Sequence, residues 1–218
     1  GSRSIVNQQR FARPSRGIVL MAAAMLVVPF MDALAKLLTS RYPVLQLVWA
    51  RFFFHFLLVL PVVLWRHGGA VLTVPRPALQ IGRGLYLLAA TCCFFGAIKY
   101  IPLADAIAII FFDAVIVIVL SALFLREQVP AGRWSAALLG FAAVLVIIRP
   151  GFSEFHWASL LALAAALFFS LYFLSTRQLS GNTPPLVTLA WQSAGGFVLM
   201  SVVLPLFWVT PTLVDLAL

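Results

Sequence analysis

Polar residues in this 218-residue chain fall in short clusters, separated by long stretches that carry almost no charge. A hydrocarbon core ~30 Å thick is crossed by about 20 residues of α-helix. Seven stretches approach or exceed that length: Gly17–Leu38, Pro43–Trp65, Leu79–Tyr100, Leu103–Leu125, Trp134–Ile148, Trp157–Thr176 and Pro185–Phe207. The fifth is short, and Arg133 and Arg149 are placed to snorkel from its ends. The connections are brief and rich in turn formers, as in Ser40-Arg41-Tyr42-Pro43 and Ser180-Gly181-Asn182-Thr183-Pro184. The pattern predicts an all-α polytopic membrane protein with seven spans, and no connection is long enough to hold a soluble catalytic domain.

Composition sharpens this reading. Hydrophobic residues make up 63% of the chain and charged residues 10%, whereas soluble domains carry about 25% charged residues. An ordinary soluble globule, a disordered chain and a disulfide-stapled secreted domain are all excluded. The net charge of +9 comes from 13 Arg and 2 Lys against 4 Asp and 2 Glu. These cations are spread singly through short loops, without the basic face and interleaved aromatics of a nucleic-acid binder, so they read as topology signals. One side collects Arg3, Arg10, Arg13, Arg16, Arg66, Arg76, Arg83, Arg126, Arg133 and Arg177; the other collects Lys36, Arg41, Lys99 and Arg149. Ten against four places residues 1–16, a basic tail, in the cytoplasm and Leu218 on the outer side of a bacterial inner membrane. Gly1 and Ser2 read as the scar of a removed tag, and no cleavable signal peptide follows them. Cys92 and Cys93 are adjacent within an apolar run, which suits neither a disulfide nor a metal site.

The first and sixth spans are alike, as are the second and seventh. At an offset of 141, Leu20, Ala23, Ala24 and Leu26 meet Leu161, Ala164, Ala165 and Leu167, and Lys36 meets Arg177. After one inserted residue, Pro43, Leu47, Trp49 and Leu57 meet Pro185, Leu189, Trp191 and Leu199. The period is five spans, an odd number, so the second copy is inverted in the membrane, an arrangement common among secondary transporters. Residues 17–151 then form a complete first repeat and 152–218 the beginning of a second. The expectation is that three helices are missing from this chain or are supplied by a partner.

Three motifs carry a family resemblance: Tyr100-Ile101-Pro102-Leu103-Ala104-Asp105-Ala106, Leu120-Ser121-Ala122-Leu123-Phe124-Leu125-Arg126-Glu127, and the run from Gly140 through Ile147-Ile148-Arg149-Pro150-Gly151. Their order resembles that of the EamA-like permeases of the drug/metabolite transporter superfamily, and the likeness extends from Gly17 to Phe207. It implies a ten-helix fold of two five-helix repeats and a transport function. The chain departs from the family pattern at Phe112-Asp113-Ala114, where relatives often carry an apolar residue and a proline. The departure removes a proline kink from the fourth helix and makes Asp113 unusual. Met31-Asp32-Ala33-Leu34-Ala35-Lys36, Tyr42-Pro43-Val44-Leu45-Gln46 and Trp49-Ala50-Arg51-Phe52 look like bacterial permeases for S-adenosylmethionine uptake. Riboflavin-type and amino-acid-type members share parts of this wording.

Ionisable residues within hydrocarbon cost a few kcal/mol and mark functional positions by default. At a rise of 1.5 Å per residue, Asp32 lies ~8 Å, Arg51 roughly 12 Å and Asp113 roughly 15 Å below the outer edge. Three charges on three helices therefore share the outer half of the membrane. A purely structural alternative pairs Asp32 with Lys36 at i, i+4, or Arg51 with Asp113 or Asp32. His55 follows Arg51 by one turn and is a candidate proton relay. Gln192 and Ser193 occupy the repeat positions of Ala50 and Arg51 and offer neutral hydrogen bonds. Tyr86, Phe94, Phe95, Tyr172, Trp49 and Trp191 are candidate aromatic walls for a planar or cationic ligand. The candidate substrate or coupling set is Asp32, Arg51, His55, Tyr86, Asp113, Trp191 and Gln192.

The leading expectation is a secondary transporter that moves a small polar metabolite by alternating access, with a proton as candidate coupling ion and a homodimer as candidate assembly. The chain contains no G-x-x-x-x-G-K-[ST] run for ATP-driven transport. A second class is a non-transporting subunit or incomplete half-assembly. An intramembrane enzyme is disfavoured, since His55, His67 and His156 lie at different depths and neither H-E-x-x-H nor G-x-S-x-G occurs. No cofactor or metal site is expected.

Overall fold

A computed structural model describes residues 29–124, 128–148, 156–179 and 183–212. The tail at 1–16, the first half of the first span, Arg126, Glu127, Arg149 and Glu154 lie outside the described residues. Every described regular element is helical: α1 (29–38), α2 (Val44–His67), α3 (Pro77–Tyr100), α4 (Leu103–Ile110), α5 (Asp113–Phe124), α6 (Ala131–Ile148), α7 (Ala158–Leu179) and α8 (Pro185–Val203). In a bilayer the backbone must satisfy its own hydrogen bonds, which leaves helix as the available form for apolar runs of this length. Prolines set several of the starts: Pro43, Pro102 and Pro184 precede helices, and Pro77 and Pro185 open them. At these positions the missing N–H is one that a helix end would leave unpaired in any case.

Five segments are long and apolar enough to cross a membrane: Val44–His67, Pro77–Tyr100, Leu103–Phe124, Ala158–Leu179 and Pro185–Leu206. The fifth predicted span is the shorter α6. The fourth is one span made of two helices. Around Phe111 and Phe112 the ladder tightens to three-residue spacing, with Phe112 N–H donating to Ile109 O at 3.0 Å and Val115 N–H to Phe112 O at 3.0 Å. The break thus occurs without a proline at Phe111-Phe112-Asp113.

Helix α3 is the centre of the bundle. Along most of its length it lies against α7, whose Ala158, Ala162, Ala165 and Ala166 are all fully buried. Small side chains let two backbones approach closely, which is how helices gain contact energy in a solvent as apolar as themselves. Phe94, Phe95, Ala97 and Ile98 of α3 fill the main cluster together with Phe52, Ile109 and Ala162. The outward faces carry the lipid-facing side chains, among them Leu58, Leu138, Leu139 and Val202.

Helix directions alternate as successive spans require. Gly96 meets Leu161 while Arg83 meets Thr176, so α3 and α7 are antiparallel. Helices α2 and α8 are also antiparallel. Trp49 Nε1 donates to Ser201 Oγ at 2.9 Å near one end, Phe52 packs on Gly196, and Val63 clusters with Val187 and Ala190 near the other end. Trp49 and Trp191, the residues matched in the internal repeat, hold reciprocal places in this pair. Each indole reaches toward the C-terminal end of the opposite helix, Trp191 through a 2.8 Å bond to Val71 O.

Candidate substrate site

One half of the bundle holds Asp32 of α1 and Arg51 of α2 within electrostatic reach of each other. Asp32 is buried, and its carboxylate and the Arg51 guanidinium act on each other electrostatically. Among the described residues no contact ion pair joins them. Lys36 does not take part. Its ammonium donates to the carbonyls of Ile98 and, at 2.9 Å, Ile101, where the C-terminus of α3 leaves oxygens without helical donors. The i, i+4 pairing of Asp32 with Lys36 is therefore replaced by a cap that ties α1 to α3.

Arg51 lies over the Phe95 ring at 5.8 Å and makes no hydrogen bond among the described residues. A guanidinium has five donors in a planar fork that fits a carboxylate. His55, one turn along α2, is half-buried and within electrostatic reach of Arg51. Tyr86 is half-buried on α3.

The other half of the site is built around a residue that the loop count misplaced. Arg83 is in the second turn of α3 and only 3% exposed, so it is an interior side chain and not a topology charge. Its Nε donates to Thr176 Oγ1 at 2.6 Å, one terminal nitrogen to Thr188 O at 3.3 Å, and the other to Tyr172 Oη at 2.8 Å. The guanidinium also covers the Tyr172 ring at 4.6 Å. Tyr172 in turn donates to Gln192 Oε1 at 3.1 Å. One arginine thus gathers α3, α7 and α8, and α3 packs on α8 where Gly84 lies against the Gln192 backbone. The signal for Arg83 was available in sequence: it lies six residues past Pro77, inside the run read as a span. Removing it from the inner side leaves nine cations against four, and the inferred orientation is unchanged.

Two predicted residues lie elsewhere. Asp113 begins α5 at the helix break, where its carbonyl accepts from Ser170 Oγ at 3.0 Å. Ser170 and Tyr172 are two residues apart, so they point to nearly opposite faces of α7. Asp113 therefore sits behind α7 as seen from Tyr172, and it is not among the groups that act on Arg51. Trp191 belongs to a separate cluster with Val63, Val71, Val187 and Ala190. The structure brings together Asp32, Arg51 and His55 on one side and Gln192 with Tyr172 and Arg83 on the other. Tyr172 connects the two groups because it is also within electrostatic range of Arg51. Among the described residues no group of three or more His, Cys, Asp or Glu could hold a metal ion.

A polytopic helical bundle with buried charged and polar side chains on several of its apolar helices defines a membrane protein with a polar interior site. Comparison with known proteins gives the family: residues 15–149 match the EamA-like transporter family, to which this chain belongs. It is 26% identical over 187 residues to the S-adenosylmethionine uptake transporter of Rickettsia bellii (strain RML369-C), covering 86% of this chain and 64% of the relative. It is 29% identical over 167 residues to the pseudopaline exporter CntI of Pseudomonas aeruginosa, covering 76% and 58%. It is 27% identical over 192 residues to the riboflavin transporter of Rhizobium johnstonii, covering 85% and 63%. The chain thus spans somewhat less than two thirds of the length of these relatives. No solved structure matches it.

Proposed function

We propose that this chain works in a secondary transporter of the bacterial inner membrane, with its N-terminus in the cytoplasm, and that the cargo is a small amino-acid-like metabolite. The observation that carries the reading is that Asp32 and Arg51 are electrostatic neighbours without a contact ion pair among the described residues. Such an anion and cation offer a zwitterion one partner for each end: the carboxylate for the cargo's ammonium, the guanidinium fork for its carboxylate. Half-buried Tyr86 on α3 supplies apolar surface for the remainder of the molecule. His55 is the group best placed to couple a proton to this exchange, since protonating it would oppose the Arg51 charge beside it. The antiparallel α2–α8 pair suits alternating access, in which two inverted halves rock about the site. Relatives named for S-adenosylmethionine, pseudopaline and riboflavin indicate that substrate differs within the family. S-adenosylmethionine, which has an amino-acid head, is one of the cargoes to be tested.

The test is counterflow into proteoliposomes by the full-length protein, against S-adenosylmethionine, amino acids and riboflavin. Arg51→Gln and Asp32→Asn are each expected to lower flux of the accepted cargo at least 100-fold, with an unchanged gel-filtration profile. Flux at the unmutated rate in both variants would refute the assignment.

A further inference from the structure

The charges in the interior do not balance. Arg83 is buried, and each of its hydrogen-bond acceptors is neutral: a threonine hydroxyl, a backbone carbonyl and a tyrosine hydroxyl. Arg51 adds a second guanidinium. Against these two cations the described residues of the site contain one carboxylate, Asp32, because Asp113 lies on the far side of α7 and Asp105 is exposed at the end of a span. A buried cation without a counter-charge is unfavourable in hydrocarbon, and among the described residues two cations share one counter-charge. The two are also at different depths. Twelve residues of α3, roughly 18 Å of helical rise, separate Arg83 from Phe95, the ring beneath Arg51.

We propose that Arg83 is a second acid-binding arm and that the cargo carries a further acidic group beyond its amino-acid head, giving it a net negative charge. The assignment rests on the zwitterion reading of Asp32 and Arg51 and narrows it to an elongated amino acid with a distal carboxylate or similar anion. In the present arrangement the Tyr172 hydroxyl occupies one terminal nitrogen of Arg83. A neutral hydroxyl is a weaker partner for a guanidinium than an anion, so an incoming acid group displaces it, and Tyr172 keeps its bond to Gln192. The remaining Arg83 bonds, to Thr176 and to the Thr188 carbonyl, hold the guanidinium in place during the exchange. This makes Arg83 the specificity-determining residue for the distal end of the cargo. Cargo with a net positive charge would be disfavoured.

Thiol labelling measures the charge of the site independently of transport. In the chain with Cys92→Ala and Cys93→Ala, Tyr172→Cys places one thiol between the two guanidinium groups. Its labelling rates with an anionic sulfonatoethyl methanethiosulfonate and a cationic trimethylammonioethyl methanethiosulfonate are each normalised to those of 2-mercaptoethanol. The expected normalised ratio favours the anion at least tenfold, and Arg83→Gln in the same background lowers it at least threefold. Gln192→Cys, which retains Tyr172, repeats the measurement if the first variant does not fold. A ratio at or below one, a ratio unmoved by Arg83→Gln, or no labelling by either reagent overturns the proposal. A protein that passes this test but moves no amino acid in counterflow would refute the transport reading and leave the charge assignment standing.

Discussion

Two adjacent glycines in α8 provide a sharp test of how the antiparallel α2–α8 pair is held. Gly195 and Gly196 have the same side chain and the same helical backbone, yet they face different surroundings. A Cβ on Gly195 would meet nothing within 4 Å, whereas one on Gly196 would enter the Phe52 ring, with three ring carbons in its way. Phe52 is 1% exposed and packed within the main cluster, so it has no room to retreat. Gly195→Ala replaces a flexible helix residue with a better helix former and is expected to stabilise by about 0.7 kcal/mol. Gly196→Ala overpacks a filled interface, which costs about 2 kcal/mol after that same gain is included. The two substitutions should therefore differ by roughly 3 kcal/mol and in sign. The measurement is reversible unfolding of the purified protein in mixed micelles, titrated with denaturing detergent. Phe52→Leu, which shortens the obstructing side chain, should recover at least half of the Gly196→Ala loss, a coupling that neither single change shows. Equal effects at the two glycines, or no rescue by Phe52→Leu, would refute the close contact between α2 and α8.

Two further outcomes follow from single bonds. Lys36→Met removes the ammonium that bridges the last carbonyls of α3 and should destabilise by about 2 kcal/mol, with faster amide exchange confined to the α3–α4 junction. Trp191→Phe deletes the bond to Val71 O and should cost about 1 kcal/mol, seen as earlier proteolysis within Gly68–Leu72 while the core of α3 keeps its protection.

The membrane class, the span positions and the family were legible in the sequence because each depends on local composition. An apolar run of about 20 residues has one stable form in a bilayer, whatever its neighbours do. The start of α3 at Pro77 and the start of α8 at Pro185 were open to the same reasoning. Asp32, Arg51 and Asp113 were marked as costly residues by the same reasoning, because the cost of burying a charge depends on depth along the span.

Partnership was not legible, because it depends on rotation about each helix axis and on which helices meet. Depth placed Asp113 in the same slab as Arg51, but the break at Phe111-Phe112 and the bond from Ser170 put it behind α7. The i, i+4 spacing of Asp32 and Lys36 suggested a pair, yet the nearer unsatisfied groups for the ammonium were the carbonyls ending another helix. Arg83 was counted as one of many surface cations because its partners, Tyr172, Thr176 and Thr188, come from two helices roughly 90 to 105 residues further along the chain. Sequence fixes how deep each residue lies in the membrane through the helix rise; only the packing of α3 between α7 and α8 decides which charges share one interior.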